Sequence, residues 1–135
     1  MGAGYSKRSL IDKLGIKSGW RVALIDPPRN YDATLGQLPD GVVRCTEVSE
    51  PIEFIQVFVT DQQDLRAQFD QLKAGLLPAG MLWVSWPKRS SGVVTDLDEN
   101  VIRSIGLEHG LVDVKVCAVD EIWSGLKFVY RLKDR

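Results

Sequence analysis

The chain has 135 residues, 44% of them hydrophobic and 26% charged. These values sit near the globular averages of roughly 45–50% and about 25%, which excludes disordered and fibrous classes and leaves a chain long enough to bury about two-thirds of its unfolded surface. Its formal net charge of -1 points away from a dedicated nucleic-acid binder, which carries a basic excess.

In chain order, residues 1–6 (Met-Gly-Ala-Gly-Tyr-Ser) match the loose N-myristoylation pattern and otherwise read as a flexible tail over 1–5. Ser6 is placed to cap a short helix over about 7–14, with Leu10, Ile11 and Leu14 on one face and Gly15 as a left-handed stop. Residues 20–25 read as the first strand, and Asp26-Pro27-Pro28 ends it by denying further ladder donors. Tyr31, Leu35 and Leu38 predict a two-turn helix between Pro28 and Pro39. Residues 42–48 and 54–59 are strand candidates, the second nearly continuous in apolar and β-branched side chains. Residues 49–53 between them are too few for a helical crossover, so either the first is a short edge strand or the two do not run parallel.

Thr60 or Asp61 is expected to cap a helix whose Leu65, Phe69, Leu72 and Leu76 form a buried stripe. Residues 76–88 then read as a helix end, a tight turn at Pro78-Ala79-Gly80, a buried strand over 81–86 and a stop at Pro87. That strand is too uniformly apolar for one wet face, so with 54–59 it belongs at the centre of the sheet. Thr95 with Asp98 predicts a near capping box for a helix carrying Leu97, Val101 and Ile105 and ended by Gly106 or Gly110. Residues 111–119 and 126–132 read as an antiparallel pair joined by a hairpin loop at 121–125. The expected fold is one α/β domain over 1–135, a three-layer, mostly parallel Rossmann-like sheet with a C-terminal antiparallel hairpin.

No apolar run approaches the roughly 20 residues of a membrane span, and a cytoplasmic placement is expected, with no membrane partner. Cys45 and Cys117 lack a partner at metal or redox spacing and read as core residues in a reducing compartment; His109 is the single histidine, so no metal site is expected.

In open parallel sheets ligands bind at the carboxyl ends of the strands. That rule gathers Asp26, Pro27, Pro28 and Tyr31 from the first loop, Asp61 from the second, and Trp86, Lys88 and Arg89 from the third. Lys88 and Arg89 suit the charge of an anionic ligand, with Asp26 or Asp61 on a hydroxyl or amine. The alternative is that both aspartates are strand-end and helix-cap residues and both cations merely solvated. Asp120, Glu121 and Trp123 at the hairpin tip form an additional candidate, two carboxylates suited to acid and base roles. Trp20 and Trp83 are expected in the core, Trp86 and Trp123 nearer the surface.

The order of elements, with the turn Leu77-Pro78-Ala79-Gly80 before a central strand and a reversed hairpin at the end, resembles the later part of a class I S-adenosylmethionine-dependent methyltransferase. Residues 57–61 (Val-Phe-Val-Thr-Asp), 81–88 (Met-Leu-Trp-Val-Ser-Trp-Pro-Lys) and 114–121 (Val-Lys-Val-Cys-Ala-Val-Asp-Glu) are similar to the bacterial family called domain of unknown function 3052. The methyltransferase resemblance implies S-adenosylmethionine, held by a glycine-rich loop after the first strand. Asp26-Pro27-Pro28-Arg29 stands there instead, and proline offers no backbone donor, so no cofactor is expected and S-adenosylmethionine is not expected to bind tightly. Asp26-Pro27-Pro28 also resembles the Asp-Pro-Pro-Tyr motif of amino-methyltransferases, with Arg29 at the aromatic position. No nucleophile with an evident base is present. Two functions stand: a catalytically silent methyltransferase-like domain binding a small anionic molecule or a protein partner, or a small transferase acting on a nucleotide-like or anionic metabolite.

Overall fold

A computed structural model describes residues 8–135. The expected tail, the lipidation pattern and the Ser6 cap lie outside these residues. The first helix, α1 (Leu10–Leu14), starts instead at Ser9, whose side chain accepts from the Asp12 N–H, and stops at Gly15 with φ 85°. There follow β1 (Arg21–Ile25), α2 (Tyr31–Leu35), β2 (Val43–Arg44), β3 (Ile52–Phe58), α3 (Gln62–Ala74), β4 (Leu76–Pro87), α4 (Glu99–Glu108), β5 (Leu111–Ala118) and β6 (Trp123–Tyr130).

The strands form one sheet in the order β2-β1-β3-β4-β6-β5. β1 is parallel to both β2 and β3, and β3 is parallel to β4; β6 runs antiparallel to β4 and to β5. The apolar strands β3 and β4 therefore hold the centre, as their composition requires. The crossover difficulty between 42–48 and 54–59 disappears because β2 is a two-residue edge strand beside β1 and never pairs with β3.

Two cores flank the sheet. On one face Leu65, Phe69 and Leu72 of α3 and Ile102 and Ile105 of α4 pack on Ile55, Val57, Leu82, Val84, Leu126 and Phe128. On the other, Ile11 and Leu14 of α1 and Tyr31 and Leu35 of α2 pack on Phe54, Phe58, Met81 and Trp83. The result is three layers, and among the described residues no helix is long and apolar enough to cross a membrane.

Several boundaries differ from the sequence expectation for identifiable reasons. Leu76 is not the last residue of the α3 stripe; the helix stops at Ala74 and Leu76 pairs with Ile52 in β4. Pro78-Ala79-Gly80 form an irregularity inside that strand, because the partner of Ile52 is Leu76 whereas that of Phe54 is already Met81. The cap of α4 is Asp98, which accepts from the Val101 N–H, while the Thr95 hydroxyl donates to the Thr60 carbonyl. The helix passes through Gly106, where a Cβ would collide with the Phe128 ring. β6 begins at Trp123 rather than 126, since Ser124 and Gly125 pair with Ala118 and Cys117, and the hairpin loop tightens to residues 119–122.

Candidate functional site

The carboxyl end of β4 builds a cleft. Trp86 and Pro87 are buried, and Lys88 leaves the sheet with its N–H donated to the Ile122 carbonyl at 2.7 Å. A single 3-10 turn, Arg89–Ser91, follows and closes at Gly92 with φ 78°, a left-handed conformation open to glycine. Residues 93–98 then return across the sheet end to α4. Between them lies a cavity of about 690 Å³, lined by Trp86, Lys88, Arg89, Val94, Asp96 and Asp98 among others.

The charges on its walls are not equivalent. Asp96 accepts from the Gln62 N–H at 2.8 Å and Asp98 from the Val101 N–H at 2.8 Å, so each carboxylate sits at the positive end of a helix, α3 or α4. Lys88 and Arg89 make no ion pair among the described residues. The cleft thus has two committed anions and two uncommitted cations.

The remaining sequence candidates divide. Asp61 is the N-cap of α3 and accepts from the Asp64 N–H at 2.7 Å, as its cap reading holds. Trp86 is 6% exposed, not a surface platform; it belongs to the α3–α4 core and meets the cleft only at its edge. Asp26, Pro27, Pro28, Tyr31 and Asp61 are not part of the cleft lining, which takes Trp86, Lys88 and Arg89 from the expected group. Asp26 and Pro27 are exposed after β1, where Asp26 adopts φ 55°.

Tyr31 is buried, not loop-exposed, and its hydroxyl donates to the Gln56 Oε1 at 2.7 Å. Gln56 in turn donates to the Ser85 hydroxyl at 3.0 Å, so three fully buried polar side chains cross from α2 through β3 to β4. Burial pushes the Tyr31 phenol above its ordinary pKa despite the bond to Gln56, so it stays neutral. Phe58 meets Tyr31 edge-on at 4.8 Å and Trp123 edge-on at 5.1 Å. The sequence did not point to this aromatic and polar assembly because Gln56 and Ser85 stand singly inside apolar runs.

At the hairpin tip Asp120 accepts from the N–H groups of Ile122 and Trp123, both at 2.8 Å, and so braces the turn; Glu121 is exposed. Burial pushes the Cys117 thiol pKa up, against the thiolate. His109 is the C-cap of α4, stacks on Phe69 and lies 2.7 Å from Asp70 through Nδ1. Among the described residues no three His, Cys, Asp or Glu side chains group as metal ligands. A second hollow of about 360 Å³, unforeseen from sequence, lies beside α3 against Ala23, Ile25, Val48 and Ile55. It exists because residues 45–51 connect β2 to β3 without a helix to cover that face.

A mostly parallel sheet with helices on both faces, a chain reversal of direction in β6 and a β1/β3 switch point define a methyltransferase-like Rossmann fold. Solved structures of that class superpose on this chain. Magnesium protoporphyrin IX methyltransferase from Synechocystis PCC 6803, with bound S-adenosylmethionine, is 10% identical with a TM-score of 0.63, over 90% of this chain and 74% of its own. A SAM-dependent methyltransferase from Aquifex aeolicus is 14% identical with a TM-score of 0.61, over 88% and 86%. The 1,6-didemethyltoxoflavin-N1-methyltransferase of Burkholderia thailandensis, with bound 1,6-didemethyltoxoflavin and S-adenosylhomocysteine, is 11% identical with a TM-score of 0.56, over 88% and 73%. No protein-family model matches the chain, and no curated protein does.

These neighbours correct the expectation of no cofactor and no tight S-adenosylmethionine binding, which rested on Asp26-Pro27-Pro28-Arg29 in place of a glycine-rich loop: two of them, of the same fold, hold S-adenosylmethionine or its demethylated product. The physical error lay in judging the first loop by its prolines alone. Asp26 takes the left-handed conformation usually reserved for glycine, one that aspartate tolerates, so the chain turns sharply at the end of β1 before either proline.

Proposed function

We propose that this chain is a ligand-binding domain of the methyltransferase fold and that the cleft beyond β4 takes a small anionic molecule. The observation that carries this reading is the contrast within one 690 Å³ cavity between helix-engaged carboxylates and the unpaired cations Lys88 and Arg89. A ligand anion supplies the counter-charge those cations lack. Binding without catalysis is the role this reading assigns, since the carboxylates in the cleft, Asp96 and Asp98, serve helix ends, and outside it Asp61 caps α3 while Tyr31, Gln56 and Ser85 bond one another beneath the surface. The motifs similar to domain of unknown function 3052 fit this proposal and bring no activity of their own.

The test is calorimetry with a panel of nucleotides, carboxylates and phosphate esters, repeated on Lys88→Ala and Arg89→Ala. Each variant is expected to lose about tenfold in affinity, about 1.4 kcal/mol, at unchanged melting temperature. Wild-type affinity in both variants rejects the site.

A second reading, a small transferase acting on a nucleotide-like or anionic metabolite, is favoured by the S-adenosylmethionine and S-adenosylhomocysteine held by fold neighbours. Here the ligand lies at the carboxyl end of β1, beside Asp26. Calorimetry with S-adenosylmethionine is decisive: a micromolar Kd, about −8 kcal/mol, selects this reading over the first, and methyl transfer to an added acceptor then follows as its requirement.

A further inference from the structure

The face of the sheet away from α3 and α4 carries a group of lysines without counter-ions. Lys115 of β5 and Lys127 of β6 are direct cross-strand partners, so their side chains leave the same face side by side. On that face Lys127 is also the neighbour of Trp83, over which α1 lies, the indole N–H being donated to the Leu14 carbonyl at 2.9 Å. The end of α1 adds Lys13, whose carbonyl accepts from the Lys115 ammonium at 3.0 Å, and Lys17 follows three residues past the helix in the chain. None of these four lysines makes an ion pair among the described residues.

Like charges directly opposite on an antiparallel pair destabilise it. Lys127 is half-buried as well, and burial, Lys115 and Lys17 together lower its pKa. An uncompensated arrangement of this kind lowers stability unless an anion restores the balance. No carboxylate is a direct strand partner of the pair: Lys127 lies between Trp83 and Lys115, and Asp113, two residues before Lys115, is taken by Arg103. Two of these lysines are cross-strand partners, and a third is joined to them through the bond from the Lys115 ammonium to the Lys13 carbonyl, a local grouping instead of a stripe along the chain. That arrangement suits a compact multivalent anion better than an extended chain of charges.

We propose that Lys115 and Lys127, with Lys13 and Lys17 at the rim, form a binding site for a compact phosphate-bearing small molecule. This site is on the α1 face and is separate from the cleft of Lys88 and Arg89, so either stands if the other fails.

The experiment uses inorganic pyrophosphate as the probe, titrated into the full chain at physiological ionic strength and followed by amide chemical shifts. Saturable shifts at Lys115, Lys127 and Gly125 are expected, with affinity reduced at least tenfold in Lys127→Met and in Lys115→Ala and unchanged in Lys133→Ala, an exposed lysine near the end of the chain. Because removal of one of two facing ammonium groups relieves repulsion, Lys127→Met should melt no lower than wild type, which separates lost binding from lost folding, whereas Lys115→Ala also loses the bond to the Lys13 carbonyl. The proposal is overturned if shifts fail to saturate, if they appear only around Lys88 and Arg89, or if the two variants bind as wild type. Tight binding of an oligonucleotide with no response to pyrophosphate also overturns it, since the site would then read an extended polyanion.

Discussion

Trp83 has no exposed surface, and its indole N–H holds the Leu14 carbonyl at the end of α1. Trp83→Ala therefore empties a large core volume and leaves a helix carbonyl unpartnered, and should cost about 3–5 kcal/mol. Urea denaturation checks this through a fall in midpoint at constant slope; an unchanged midpoint means that the core does not depend on the indole. Its burial was legible because it stands inside an unbroken apolar run. Gln56 was not, because a glutamine in such a run is interpretable only once Tyr31 and Ser85 are known to face it. Glu53 offers a pH test at the same scale. Burial works to raise its pKa, but hydrogen bonds from the Arg21 side chain and backbone outweigh this and hold it below its ordinary value. A depressed carboxylate contributes stability above its ordinary pKa that is lost as pH falls through the folded value. Glu53→Gln should thus be less stable than wild type at neutral pH, with the gap narrowing in acid. A gap that stays constant below the ordinary glutamate range contradicts the assignment.

Helix ends and packing surfaces show which element boundaries a sequence carries. The α3 cap was legible because Asp61 acts on its own helix, and Asp61→Ala should cost about 1 kcal/mol in a thermal or chemical melt by orphaning the Asp64 N–H. Thr95 misled because its hydroxyl serves the loop, donating to the distant Thr60 carbonyl and accepting from the Leu97 N–H ahead of the helix, while Asp98 caps α4. Gly106 misled in the opposite sense. A glycine after an apolar stripe reads as a stop, yet here the helix continues and the missing side chain makes room for Phe128. Gly106→Ala consequently raises helix propensity and overpacks the core at once. The second effect wins, because a rigid aromatic ring in a closed core cannot yield as cheaply as the propensity gain of about 1 kcal/mol. A net loss of about 1–3 kcal/mol is expected, and a stabilised variant in the same melt would show that Phe128 has room to move.

The order of the sheet sets how firmly each part of the molecule is held. Its centre was readable from the apolar continuity of β3 and β4 and its outer strand β5 from the alternation over 111–119, whereas the extent of β2 within 42–48 was not, because a two-residue strand has too few side chains to show a pattern. The cleft was half readable for the same reason: the Pro87 stop announces Lys88 and Arg89, whereas the wall made by Asp96 and Asp98 depends on how residues 93–98 fold back. Local opening needs only the rupture of the contacts an element makes, so its free energy rises with pairing and coverage. β3 and β4 have neighbours on both edges and helices on both faces, and their exposure requires global unfolding. β2 pairs with β1 alone, through the Val43 N–H to the Trp20 carbonyl and the Cys45 N–H to the Val22 carbonyl, and its side chains at Val43 and Arg44 are exposed, the Arg44–Asp32 bond to α2 being a surface ion pair of small worth. Native-state hydrogen exchange should find the β3 and β4 amides slowest, near the global stability, and Val43 and Cys45 fastest among the ladder amides. Adding denaturant should accelerate the first group steeply and leave the second nearly flat, since opening β2 exposes little surface. Equal protection of β2 and β3 would mean that the whole sheet opens as one unit, and the hollow beside α3 would then border a firm edge instead of a fraying one.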